Sequence, residues 1–148
     1  MVPDRILVAT DGSPSALVAE CFAADLAGRL GNTEVVCVTV VRPRDAGSIR
    51  DGSGPATEEE VTEAEQLLAD ALARIQARLT NPTSTARTLL VEAESPAAGI
   101  VQEAHADGAR TLIVLGTRGL GGFASVMLGS VSTQVLQVAH CPVLVVRE

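Results

Sequence analysis

The chain has 148 residues, 47% of them hydrophobic, which suits one domain that buries roughly two-thirds of its unfolded surface. A net charge of −7 and a pI near 4.8 turn the surface field against nucleic acid, and no stretch gathers positive groups to offset it. All 11 basic residues are arginine, which excludes a Walker-type lysine, a Schiff base or a lysine general base; with Phe22 and Phe123 as the only aromatic rings besides histidine, base-stacking platforms are missing too.

The N-terminus, MVPDRILVATDGS, lacks the basic region and long apolar run of a signal peptide. No later stretch approaches the about 20 apolar residues of a membrane span. The expected setting is cytoplasmic, with no membrane partner. From there, short β-rich apolar runs alternate with longer segments of helical period, the pattern of a parallel sheet wrapped by helices. Strands are expected at Arg5 to Ala9, Glu34 to Val41, Thr85 to Val91, Thr111 to Leu115 and Val143 to Val146. Their continuous Val, Ile and Leu content fits strands covered on both faces.

Ser13 and Pro14 read as the cap and first residue of a helix with an apolar stripe of Leu17, Cys21, Ala24 and Gly28, stopped by Gly31. Thr57 with Glu60 forms a capping box, and Val61, Ala64, Leu68, Ala71, Ile75 and Leu79 repeat at helical spacing before Pro82. Ser95 and Pro96 repeat the cap-then-proline signal, with Ile100, Val101 and Ala104 inward and Gly108 closing the third helix. A fourth runs from Ser130 to Ala139. The stretch RPRDAGSIRDGSGPA between Val41 and Thr57 has no periodicity and reads equally as a mobile lid or a plain crossover loop. Cys21, Cys37 and Cys141 share no metal or redox spacing and read as buried free thiols; His105 and His140 read as isolated helix-end residues. No repeat or second domain is visible.

After the strand Thr111 to Leu115 comes GTRGLGGFASVMLGSVS, in which Gly116 and Gly119 are followed by nine residues and then Gly129 and Ser130. Glycines directly after a strand bring bare N–H groups close to an anion, and Ser130 to Ser132 open a helix whose first N–H groups lack internal partners. The competing reading is a glycine-rich turn with Ser130 as an ordinary cap. Asp11 in ATDGS reads either as a turn residue or as a ribose acceptor. In an open sheet of order 3-2-1-4-5 it would lie at the crevice between strands one and four, where a carboxylate suits two ribose O–H donors.

The chain resembles the universal stress proteins of the ATP-binding kind in ILVATDGS, in the Gly-x-x-Gly, nine residues, Gly-Ser motif, and in HCPVLVV. Only residues 43–57 and about 80–88 lack clear correspondence, and relatives that do not bind ATP tend to lack the middle motif. The resemblance implies a single domain over residues 1–148: an α/β, Rossmann-like fold with an open five-stranded parallel sheet and helices on both faces. It also implies a homodimer and an ATP site. Asp11 would hold the ribose, the backbones of Ala9 and Val40 would meet adenine, Gly116, Arg118 and Gly119 would wrap the phosphates, and Gly129, Ser130, Val131 and Ser132 would cap them. Mg²⁺ or Mn²⁺ would enter through the phosphates. Many ATP-binding relatives carry a basic residue within the nine-residue stretch, and residues 120–128 have none, so Arg118 is the only cation in this motif. The expected function is a nucleotide-dependent stress-response module without useful turnover, for want of an evident base or lysine. Slow ATP hydrolysis or phosphotransfer, and a nucleotide-free dimerisation module, are the alternatives. The apolar strand at 142–146 is the expected dimer edge.

Overall fold

The computed structural model describes residues 2–43, 55–117 and 128–147. The lid-or-loop segment falls mostly outside these residues, as do Arg118 and Gly119. Among the described residues nine elements alternate: β1 (Arg5–Ala9), α1 (Pro14–Leu30), β2 (Glu34–Val41), α2 (Glu58–Arg78), β3 (Thr85–Glu92), α3 (Pro96–His105), β4 (Thr111–Gly116), α4 (Ser130–Val138) and β5 (Val143–Val146). All strand pairings are parallel, and the sheet order is β3-β2-β1-β4-β5.

Alternation along the strands splits the core into two layers. Ile6, Val8, Val35, Cys37 and Val114 face α1 and α2, where Ala19, Ala23, Ala27, Leu68, Ala71 and Ile75 meet them. Leu7, Val36, Val38, Ile113 and Leu115 face the other way, onto Ala97, Ile100 and Ala104 of α3 and Val135 of α4. Both faces of the sheet are covered, as their unbroken apolar sequences require.

Of the expected α2 stripe, Ala64, Leu68, Ala71 and Ile75 are buried, while Val61 is half-buried and Leu79, also half-buried, caps the helix rather than lying in it. Its capping box is also present: Glu60 N–H donates to Thr57 Oγ1 at 3.2 Å and Thr57 N–H to Glu60 Oε2 at 2.7 Å. The α1 stripe is displaced from expectation. Of Leu17, Cys21, Ala24 and Gly28 only Ala24 is fully buried, and the inward face is Ser15, Ala16, Ala19, Glu20, Ala23, Ala24 and Ala27. Alanine lets α1 lie close on the sheet, so the small residues turn in and the larger Leu17 and Cys21 sit at the margin. Three ends also differ by one residue: β3 reaches Glu92, β4 includes Gly116, and α4 stops at Val138 with Ala139 as its cap.

Candidate functional site

The chain moves from β1 to β2 and β3 on one side and returns to β4 and β5 on the other, so the connections diverge between β1 and β4. In open α/β sheets a crevice forms outside the carboxyl ends of the strands at this switch point. The register of β1 on β4 runs from Arg5↔Thr111 to Val8↔Val114, which brings the chain just beyond Ala9 level with Gly116.

Beyond β1 the turn Thr10–Asp11–Gly12–Ser13 is pinned from several sides. Thr10 N–H donates to Val38 O at 2.9 Å, and Thr39 Oγ1 donates to Thr10 O at 2.8 Å. Asp11 Oδ1 accepts the Ser13 N–H at 2.9 Å, which establishes its turn role, while the residue stays exposed at the sheet edge. Gly12 has φ +76°, a left-handed conformation that explains its lack of a side chain. Ser13 then caps α1 by accepting Ala16 N–H at 3.3 Å, and Pro14 follows as the first helical residue.

At the end of β4, Gly116 pairs with Val146 of β5. A Cβ there would stand 2.5 Å from Ser15 Oγ and 2.6 Å from the Ser15 carbonyl carbon, because the first turn of α1 lies across it. Close helix packing therefore requires a glycine here, where the sequence leaves a tight turn and an approach to phosphate both open. Gly129 N–H donates to Thr117 O at 2.7 Å, which brings the two ends of the glycine motif together.

The first residue of α4 is Ser130 and its cap is Gly129, so Ser130 is not an ordinary cap. No side chain among the described residues caps this helix; its first internal bond is Thr133 N–H to Gly129 O at 3.0 Å. The N–H groups of Ser130, Val131 and Ser132 precede that bond and carry the positive end of the helix dipole at the sheet edge. Ser132 is buried, and its hydroxyl donates to Gly116 O at 2.8 Å. Its side chain braces β4 against α4, leaving the backbone N–H as its group for an anion. Ala9, Val40 and Val131 are half-buried against the α3/α4 layer and line this edge with apolar surface.

Other reactive side chains lie elsewhere. Cys37 is buried, and burial, reinforced by the charge of Glu20, pushes its thiol up to about 12; Cys21 and Cys141 are only half-buried, contrary to expectation, and all three are free. His105 and His140 are not isolated: their ring centroids are 5.8 Å apart, His105 being the last residue of α3 and His140 lying just past the end of α4. Among the described residues no group of three or more His, Cys, Asp or Glu is arranged to hold a metal ion. Two residues with no assigned role in the sequence reading, Thr10 and Glu20, are joined behind the turn by a 2.6 Å hydrogen bond. The available signal was a glutamate on the inward period of α1, beside Ala16, Ala19, Ala23 and Ala27.

The chain matches the Universal stress protein family over residues 3–147. It is 36% identical over 143 residues to a universal stress protein of Mycobacterium tuberculosis, covering 97% of this chain and 45% of that protein. It thus spans about half the length of these curated relatives. A universal stress protein of Methanocaldococcus jannaschii is 34% identical over 145 residues, covering 97% of this chain and 82% of the relative. Among solved structures, the universal stress protein of Archaeoglobus fulgidus in complex with dAMP superposes with a TM-score of 0.73 at 26% identity, covering 98% of each chain.

Proposed function

This chain belongs to the universal stress protein family, and we propose that it binds ATP, with Mg²⁺ or Mn²⁺, in the crevice at the carboxyl ends of β1, β2 and β4. The observation that carries this reading is the start of α4. Three successive backbone N–H groups, at Ser130, Val131 and Ser132, precede the first internal hydrogen bond of a helix that lacks a side-chain cap. Such a terminus attracts phosphate by geometry and by dipole together. The surrounding groups suit the rest of the ligand: adenine lies against Ala9 and Val40, and the exposed Asp11 carboxylate accepts from ribose hydroxyls.

By the family resemblance the backbones of Gly116 and Gly119 and the Arg118 side chain would add to the phosphate cradle, Arg118 and Gly119 lying outside the described residues. Mg²⁺ or Mn²⁺ would enter through the phosphate oxygens, whose charge it would offset. The solved A. fulgidus relative with dAMP supports an adenine nucleotide as the ligand class. Occupancy then regulates assembly or partner affinity rather than feeding a turnover cycle, and the protein acts as a homodimer.

The test is mass analysis of nucleotide released by heat or acid from purified protein, paired with ATP titration calorimetry in the presence of Mg²⁺. The chain has no Trp or Tyr, so bound adenine also appears as absorbance near 260 nm over a weak Phe background. Released adenine nucleotide and saturable ATP uptake are the expected results. Protein that carries none and takes up none would overturn the reading.

A further inference from the structure

Two ion pairs join α1 to α2, and they differ in kind. Asp25 and Arg78 meet at the surface, Arg78 Nη2 to Asp25 Oδ2 at 2.6 Å, with both side chains nearly half exposed. One turn back, the Glu20 side chain is 0% exposed. Its Oε2 accepts from Arg74 Nε at 2.8 Å, and its Oε1 accepts from the Thr10 hydroxyl at 2.6 Å. A brace between two helices needs only the surface arrangement. Desolvating a carboxylate to reach Thr10 is costly, and the contact it gains lies directly behind the turn at the crevice.

The chemistry of the chain of bonds fixes its direction. An ionised carboxylate only accepts, so the single Thr10 hydroxyl proton goes to Glu20, and the hydroxyl lone pairs face the other way. There Thr10 Oγ1 accepts the N–H of Gly12 at 3.3 Å. Gly12 is the residue in left-handed conformation between Asp11 and Ser13, and the methyl carbon Cδ1 of Leu67 on α2 lies 3.0 Å from where its Cβ would be. The turn is thus held from behind by α1 and from the side by α2.

We propose that Glu20 is the positioning residue of the nucleotide site: by orienting the Thr10 hydroxyl it fixes Gly12 N–H, and so sets how the Asp11 carboxylate meets the ribose. The role of Asp11 rests on the ATP reading above; the hold on Gly12 does not.

The experiment uses the full chain and the variants Thr10→Val, Thr10→Ser, Glu20→Gln and the Thr10→Val/Glu20→Gln double. Two quantities are measured: the Kd for MgATP, and the amide resonance and hydrogen exchange of Gly12 without ligand. Thr10→Val should weaken ATP by about tenfold, the scale of one lost charged hydrogen bond. Glu20→Gln, whose single oxygen stays with the Arg74 guanidinium while its amide N–H groups face Thr10, reverses the hydroxyl and should weaken ATP to a similar extent. The double variant should be no weaker than Thr10→Val, and Thr10→Ser should bind as wild type. In the ligand-free protein the Gly12 amide should shift and exchange faster in Thr10→Val and Glu20→Gln, and stay in place in Thr10→Ser. Folded variants with an unmoved Gly12 amide, or ATP losses that add, would overturn the proposal. If Glu20→Gln fails to fold, Glu20→Asp, which keeps the charge for Arg74 and draws the carboxylate back from Thr10, takes its place, and an unmoved Gly12 amide there would overturn the proposal. If the wild type takes up no ATP, the nucleotide reading fails and the Gly12 amide still decides whether Glu20 holds the turn.

Discussion

Gly116 and Asp11 each have a structural task beside the binding role proposed for them. The missing side chain of Gly116 is filled by the backbone of Ser15, so even Gly116→Ala pushes a methyl group to within 2.6 Å of a carbonyl carbon. Backbone cannot move aside as a flexible side chain can. We expect Gly116→Ala to cost about 1–3 kcal/mol or more, as overpacking usually does, seen as a lower Tm by circular dichroism. A variant as stable as the wild type would mean that α1 does not rest on β4 here. Asp11 separates by charge. Asp11→Asn keeps an oxygen for the Ser13 N–H and removes the anion, so stability should hold while ATP binding falls by about 1–3 kcal/mol in calorimetry. Unchanged affinity would leave Asp11 as a turn residue only. At this scale the sequence was partly legible. It marked Gly116 as a point of close backbone approach but could not say whether phosphate or a helix approaches. Glu20 escaped notice because a charged residue is ordinarily assigned to solvent, and only the fold shows Thr10 and Arg74 waiting for it.

Among the elements, α4 carries the ligand argument, and its cap offers a cleaner probe than Gly116. Gly129 has φ −63° and ψ 160°, extended values open to any residue, so glycine there is not required by backbone strain. A Gly129→Val variant should keep its circular dichroism and lose no more than about 1 kcal/mol for the poorer cap. ATP affinity should fall at least about tenfold, since a branched side chain then stands beside the N–H groups of Ser130 and Val131. Wild-type affinity in this variant would remove α4 from the phosphate site; unfolding would make the glycine structural. Helix starts were legible because caps are local: Ser13, Thr57 and Ser95 all cap where their hydroxyls and following residues indicate. The inward face of α1 was not, since its stripe is made of alanines whose apolar period is faint next to Leu17 and Cys21. The end of β4 was misplaced for a similar reason: a glycine reads as a stop, while pairing with Val146 keeps Gly116 in the ladder.

At the scale of the molecule, alternation indicates a parallel sheet and the order 3-2-1-4-5 goes with the family resemblance, but assembly depends on edges that sequence only hints at. The sheet ends in β3 and β5. Edge strands invite pairing unless charge or covering blunts them. β3 carries Arg87 and Glu92, and Arg87 Nε reaches Glu34 Oε1 at 2.8 Å. β5 is Val-Leu-Val-Val, uncharged and half-buried throughout. Its outward groups can be identified from the ladder. Ile113 N–H donates to Pro142 O and Thr117 N–H to Val146 O, both at 3.0 Å, so residues 142, 144 and 146 turn their backbone groups toward β4. Alternation leaves the N–H groups of Val143 and Val145 pointing away from β4. A second copy related by a two-fold axis would satisfy them without disturbing the sheet. Val145→Pro therefore removes an outward donor while sparing the β4 ladder, and should fold yet run as a monomer. Light scattering tests both forms: we expect the wild type at twice 15.2 kDa and the variant at 15.2 kDa. A wild type that stays at the single-chain mass at high micromolar concentration would exclude pairing through β5, and a Val145→Pro dimer would move the interface to another face.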